Sequence, residues 1–223
     1  KSIQPFYTNF PNIQGFQKQL EEKQKSFHLQ SRLTLVEVLE HQYKGFKASE
    51  KTVKNIEFLK QQNTFTITTG HQLNLFTGPL YFIYKIVSAI NLAKELKEKY
   101  PDNDFVPVYW MATEDHDYEE INHFNLFKKK YVLEQTQTGA VGRMELSGVE
   151  GVFAGLKEVL GDRNGVEEVL SLFSKYYTSE KTFASAIKGI VNELFGKYGL
   201  VIIDGDDKNL KGLFVEDFKN ELL

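Results

Sequence analysis

Residues 64 to 111 constrain the fold more than any other stretch of the chain. Thr64 to Thr69, Thr-Phe-Thr-Ile-Thr-Thr, is β-branched or aromatic at every position, which suits a pleated ladder. Gly70 ends it. Thr77 and Gly78 lead into Pro79, and proline fits the first position of a helix because the N–H it lacks would have no partner there. Apolar residues at Leu80, Ile83, Val87, Ile90 and Leu92 or Ala93 predict a helix that runs to Tyr100, where Pro101 stops it. Phe105 to Met111, Phe-Val-Pro-Val-Tyr-Trp-Met, is apolar nearly throughout, as a strand covered by helices on both faces should be. Strand, helix, strand is a βαβ unit. Its two strands run parallel, so the turns that follow them open on the same edge of one sheet.

The flanking sequence builds a frame around that unit. An irregular start with Pro5 and Pro11 precedes three helical stretches: Phe16 to Phe27, Leu33 to Tyr43 with Leu35, Val36, Val38 and Leu39 as its core face, and a third capped by Ser49 with Val53, Ile56 and Leu59 on one face. His28 and His41 fall here and read as ordinary surface or packing histidines. After the second strand, Phe124 to Lys129 and Tyr131 to Thr136 predict a hairpin. Helices follow at about Val152 to Leu160, Val166 to Tyr176 and Thr182 to Tyr198, with Ser179 as a cap for the last. Leu200 to Ile203 is a short apolar strand that runs into Asp204-Gly205-Asp206-Asp207. A final helix from Phe214 to Leu223 carries Leu213, Phe214, Val215, Phe218 and Leu222 as a stripe and ends without a cap, so a longer protein is expected. The organisation expected is 1–62 helical, 63–123 the first half of a sheet core, 124–180 an inserted hairpin and helices, and 181–223 a return to the core.

Composition narrows the partners. The 223 residues are 41% hydrophobic with a net charge of −3, enough for a real core and without a basic field for nucleic acid. There is no cysteine, hence no disulfide framework and no thiolate metal site, which fits a reducing cytoplasm. No apolar run has the length a membrane span needs.

Chemistry concentrates after the two strands of the βαβ unit. The first turn carries His71, Gln72, Asn74 and Thr77 beside the amino end of a helix, where backbone N–H groups and the helix dipole favour anions. The second is the densest polar cluster in the chain, Thr113, Glu114, Asp115, His116, Asp117, Tyr118, Glu119, Glu120, Asn122 and His123. Two chemistries fit it. His116 and His123 with Asp115, Asp117 or Glu119 offer the nitrogen and oxygen ligands of a divalent metal, although the spacing matches no known metallohydrolase motif. Alternatively, the carboxylates hold an ammonium or sugar hydroxyls while His116 moves a proton near neutral pH. His71 could instead meet a nucleotide phosphate. The bland alternatives are turn-forming glycines and a solvated acidic turn.

The runs Thr-Gly-His-Gln-Leu-Asn-Leu-Phe-Thr-Gly-Pro-Leu-Tyr-Phe-Ile-Tyr-Lys (69 to 85) and Val-Pro-Val-Tyr-Trp-Met-Ala-Thr-Glu-Asp-His-Asp-Tyr-Glu-Glu-Ile-Asn-His (106 to 123), with Gly-Leu-Val-Ile-Ile-Asp at 199 to 204, resemble the cysteine-adding enzyme family of bacillithiol synthesis, BshC. His71 departs from it, since the family more often has Gln there. The resemblance implies a Rossmann-like parallel sheet of the nucleotidyltransferase and class I synthetase type, in an α/β chain with a helical preface and an α/β insertion. It implies a ligase that joins cysteine to glucosaminyl-malate. Because such a bond needs an activated carboxyl group, ATP or another adenine nucleotide is the expected cosubstrate, and no metal is predicted. It also implies a coiled coil beyond this chain, which supports a homodimer. Class I synthetases follow a Gly-Pro-Leu run with a histidine signature, whereas Gly78-Pro79-Leu80 is followed here by Tyr81-Phe82-Ile83-Tyr84. Adenylate-forming catalysis is therefore not carried over. The expected catalytic set is Glu114, Asp115, His116 and Asp117. The expected substrate- or nucleotide-binding set is Thr69, Gly70, His71, Gln72, Thr77, Gly78, Tyr81, Tyr84, Lys85, Asn122, His123, Asp204 and Asp206. The rival readings are a nucleotide-binding module without chemistry of its own and a metal-dependent hydrolase.

Overall fold

The computed structural model of the protein describes residue 3 and residues 6–222. Pro5 of the irregular start and Leu223 of the last helix lie outside these. In chain order the strands are β1 (Thr64–His71), β2 (Asp104–Met111), β3 (His123–Leu126), β4 (Lys129–Val132) and β5 (Val201–Asp204). The helices before the second strand are α1 (Ile13–Ser26), α2 (Leu29–Gln42), α3 (Glu50–Phe58) and α4 (Tyr81–Lys99). After it come α5 (Tyr118–Ile121), α6 (Val149–Leu160), α7 (Val166–Tyr176), α8 (Phe183–Phe195), α9 (Lys208–Gly212) and α10 (Val215–Leu222).

Three parallel strands make the core sheet in the order β1-β2-β5, with β2 in the centre. This is the Rossmann-like α/β arrangement expected from the sequence. Alternation along each strand explains why both faces are covered. Tyr109, Met111 and Ile202 point to one side and pack with Phe82 and Ile86 of α4 and Phe183, Ile187 and Ile190 of α8. Val106, Val108, Val201 and Ile203 point to the other and pack with Val36 and Leu39 of α2 and Ile56 of α3. The outer edge of β5 is finished by side chains rather than by another strand. The Tyr43 hydroxyl accepts from Ile202 N–H at 2.8 Å, and the Gln42 amide exchanges two hydrogen bonds with the Asp204 backbone at 2.9 and 3.1 Å.

Several local expectations shift. Helix α4 buries Phe82, Ile86, Ala89, Ala93 and Leu96, so Leu80 and Val87 of the predicted stripe face outward. Large side chains at Phe82 and Ile86 fill the space over Tyr109 better than the expected face would, and they set the rotation. In α3, Ser49 caps as expected, accepting from Thr52 N–H at 3.0 Å, but Val53 is exposed. Thr52 is buried in its place, its hydroxyl 3.2 and 3.1 Å from the carbonyls of Gly196 and Leu200. Thr182, not Ser179, caps α8, in a reciprocal box with Ser185. Ser179 instead bonds Glu150. The hairpin pairs Leu126 with Lys129, so its turn is Phe127-Lys128, both left-handed (φ 47° and 67°), earlier than predicted.

Candidate active site

The turns after β1, β2 and β5 stand side by side at the carboxyl edge of the sheet, and hydrogen bonds join them. Gln72 of the first turn donates to Asp115 Oδ2 at 2.9 Å and to Glu120 Oε2 at 2.8 Å, both in the second. Asn74 reaches the Glu120 carbonyl at 3.4 Å. The Thr113 hydroxyl links the second turn to the third: it donates to Asp204 Oδ1 and accepts from Asp206 N–H at 3.0 Å. Close approach here depends on Gly205. A Cβ at that position would lie 2.6 Å from Glu114 Oε2 and 2.8 Å from the Trp110 ring.

The first turn is a strained loop. Leu75–Thr77 forms one 3-10 turn with Phe76 and Thr77 left-handed, at φ 50° and 71°, followed by Gly78 at φ 58°. Side-chain packing holds it. Phe76 is buried against Phe124, Phe153, Phe173 and Tyr177, with ring centroids 4.6 to 6.0 Å away. Gly78 closes the loop where a Cβ would come within 2.4 Å of Asn74 Cβ. The turn delivers the chain to the amino end of α4.

Electrostatics assigns different capacities to the two histidine-bearing turns. His71 stacks on Phe82 at 5.1 Å and meets Tyr81 edge-on at 5.0 Å. Burial pushes its ring down to about 4, and the nearby Lys85 charge adds to the shift, so His71 is neutral at pH 7. It cannot offer a phosphate a positive charge. Lys85 is the cation of this turn, lying over the Tyr81 ring and donating to the Gly70 carbonyl. In the second turn, the hydrogen bond from Gln72 holds the Asp115 carboxyl below the usual carboxylate range, against its partial burial. The N–H groups of Asp117 and His116, bonded to its Oδ1 at 3.2 and 2.7 Å, add to the effect. Asp115 is thus an anion that shapes the turn. His116 and Asp117 are exposed at its tip, and one carboxylate oxygen of Glu114 is shut off from solvent without a hydrogen-bond partner.

The remaining candidates divide. Thr69 is half-buried in β1, and Tyr84 is exposed on α4. Asn122 and His123 bond each other at 3.1 Å where the hairpin begins. Asp206 is held below the usual range despite its burial, by hydrogen bonds from Lys211 and Arg143. Among the described residues, no three histidine, aspartate or glutamate side chains converge as a metal ion would require, so His116 and His123 do not form the ligand set considered above. Sequence reasoning missed one residue. Lys188 of α8 opens on a cavity of about 420 Å³ beside Asp204 and Asp206, and His41, read as a packing residue, lines it too. The available signal was a lysine between Ile187 and Gly189, both buried in α8.

A parallel sheet with three cross-linked polar turns at its carboxyl edge defines a Rossmann-like α/β domain, a class of fold that generally takes its ligands at that edge. The chain belongs to the family described as "Bacillithiol biosynthesis BshC, N-terminal Rossmann-like domain", whose model matches residues 1–223. Similar proteins bear the name "Putative cysteine ligase BshC". The one from Flavobacterium psychrophilum is 52% identical over 222 residues, 99% of this chain and 42% of that protein. The one from Christiangramia forsetii is 48% identical over 227 residues, 100% of this chain and 42% of that protein. The one from Bacillus cytotoxicus is 32% identical over 210 residues, 88% and 39% respectively. The chain thus spans about two fifths of the length of these relatives. Among the described residues, no helix is long and apolar enough to cross a membrane.

Proposed function

We propose that this domain supplies the ligand face of a cytoplasmic ligase that forms an amide between the carboxyl group of cysteine and the amine of glucosaminyl-malate. The observation that carries the reading is the pair of hydrogen bonds from Gln72 to Asp115 and Glu120, which bring an anion-favouring helix entrance and an acidic turn to one mouth. The name that the relatives bear supplies the reaction class. Exposed His116 is free to take and return a proton, while Glu114 and Asp117 favour an ammonium. Asp115 orients the turn that carries them. Asn122 and His123 stand at the outer wall, and Asp204 and Asp206 at the third.

An adenine nucleotide fits the first turn in part. The amino end of α4 follows Gly78 after Pro79 and the cap residue Leu80, and Lys85 lies in its first turns. His71 is neutral, so the turn offers backbone dipoles and one cation rather than a cluster of charges. Thr69, Gly70, Thr77, Tyr81 and Tyr84 complete the surface that would meet the nucleotide. When bound, ATP would supply the leaving group that a carboxylate needs before an amine can displace it. The full-length protein, which we expect to be a homodimer, is the one to test. Asp115→Asn and His116→Ala should each lower formation of the product thiol by about a hundredfold or more. Unchanged turnover in both would remove the acidic turn from the mechanism.

A further inference from the structure

Lys188 takes no part in the chemistry proposed above, yet its side chain is the most enclosed cation near the ligand face. It crosses from α8 to α2. There Nζ donates to the Gln42 carbonyl at 2.5 Å and lies 4.2 Å from the centre of the Tyr43 ring and 4.7 Å from that of Phe46. An ammonium has three donors, so one carbonyl leaves two unassigned. Lys188 also lines the 420 Å³ cavity between α2, α8 and β5, which is large enough for a small polar molecule.

The other charged groups of that cavity are mostly committed. Asp206 is paired with Arg143 and Lys211. Asp207 accepts from the N–H groups of Asn209 and Leu210 at 2.8 and 3.2 Å and caps α9. Thr182 and Ser185 satisfy each other in their capping box. His41 stands exposed at the rim. Asp204 uses Oδ1 for Thr113 and Asp206 N–H, while its second oxygen has no protein hydrogen bond among the described residues. Lys188 and Asp204 therefore each keep unused hydrogen-bonding capacity at the cavity. They are not paired with each other, although the Asp204 charge reaches the lysine.

A gap bounded by one ammonium and one carboxylate complements a zwitterion of opposite polarity. We propose that the cavity is an α-amino-acid subsite, in which Lys188 takes the carboxylate and Asp204 the ammonium of the bound molecule. That its occupant in the cell is cysteine rests on the ligase reading; the chemistry of the subsite does not. Burial draws the Lys188 amine down to about 8 against the pull of Asp204, so amino-acid affinity should fall as pH rises through and above that value. His41, Asp204, Asp206 and Asp207 are the other titratable groups facing the cavity.

The test uses L-serine, which has the same backbone charges as cysteine and no thiol, with the full-length protein in calorimetry at pH 7. L-serine should bind, whereas N-acetylserine and ethanolamine, each lacking one charge, should bind at least about tenfold more weakly. Lys188→Met and Asp204→Asn should each weaken L-serine about ten- to hundredfold. In the wild-type protein, millimolar L-serine should slow acylation of Lys188, a readout that needs no variant to fold. No binding of L-serine, or binding and acylation indifferent to these changes, would overturn the subsite. Serine binding without thiol product from the complete substrates would instead count against the ligase reading and leave the subsite standing.

Discussion

Two regions of the ligand face contrast sharply. Between the first and second turns, polar side chains are dense and many are tied together: Gln72 binds Asp115 and Glu120, and Asp115 holds the backbone of its own turn, while the partnerless atoms of His71, Asn74 and Glu114 are shut away from solvent. Beside β5, polar groups are fewer, yet Lys188 and Asp204 line a cavity with hydrogen-bonding capacity to spare. Density of polar residues in a sequence therefore measures how a turn is built as much as what it binds. Spare hydrogen-bonding capacity next to a cavity is the better guide to a ligand.

Four changes would break or sharpen that contrast. The largest effect is expected at the seam both regions share. Gly205→Val should destabilise the domain by about 2–3 kcal/mol through overpacking on Glu114 and Trp110, a fall of roughly 2–4 °C in Tm per kcal/mol. A melt unchanged within 1 °C (roughly the resolution of one scan) would mean that the turns yield easily. Thr113→Val comes next. It strips Asp204 Oδ1 and Asp206 N–H of a shared partner, costs about 1–3 kcal/mol in denaturant unfolding, and should weaken L-serine binding while sparing the Gln72 crosslink. Gln72→Ala should cost about 0.5–1.5 kcal/mol and quicken amide exchange in the first two turns. L-serine affinity should not change, and a parallel loss would show the two regions to be one.

The fourth change is acid rather than a substitution. A histidine whose folded pKa lies below its unfolded value contributes stability above the unfolded value. That stability is lost as pH falls from about 6.5 towards 4. The His71 ring should titrate at about 4 by NMR, and a midpoint near 6 would place it in water.

The sequence made the sheet legible where local preference and tertiary packing agree. The β-branched run of β1, Pro79 before α4 and the apolar β2 each point one way, and the parallel pairing follows. It was less informative where packing chose among near-equal options. Helix α4 has apolar residues on more than one face, and the packing of Phe82 and Ile86 over Tyr109 selects the buried one. The hairpin turn uses left-handed Phe127 and Lys128, residues without a turn signature. Of the candidate site, the adjacency of the first two turns was readable from parallel strands. Lys188 was not, because a lysine in an amphipathic helix ordinarily marks the wet face. Only the approach of α2, 146 residues away in sequence, encloses it.

Phe76 gives the hairpin and α6–α7 a role that their position in the chain does not announce. Its ring is gripped by Phe124, Phe153, Phe173 and Tyr177, all contributed from that segment, while its backbone belongs to the glycine-bordered loop after β1. A segment that looks like a decoration on the sheet is thus the mould in which the loop is cast. Trimming any one of those rings would loosen the loop at a distance, and the selectivity of the mouth can drift through aromatic repacking without a single change among the residues that line it.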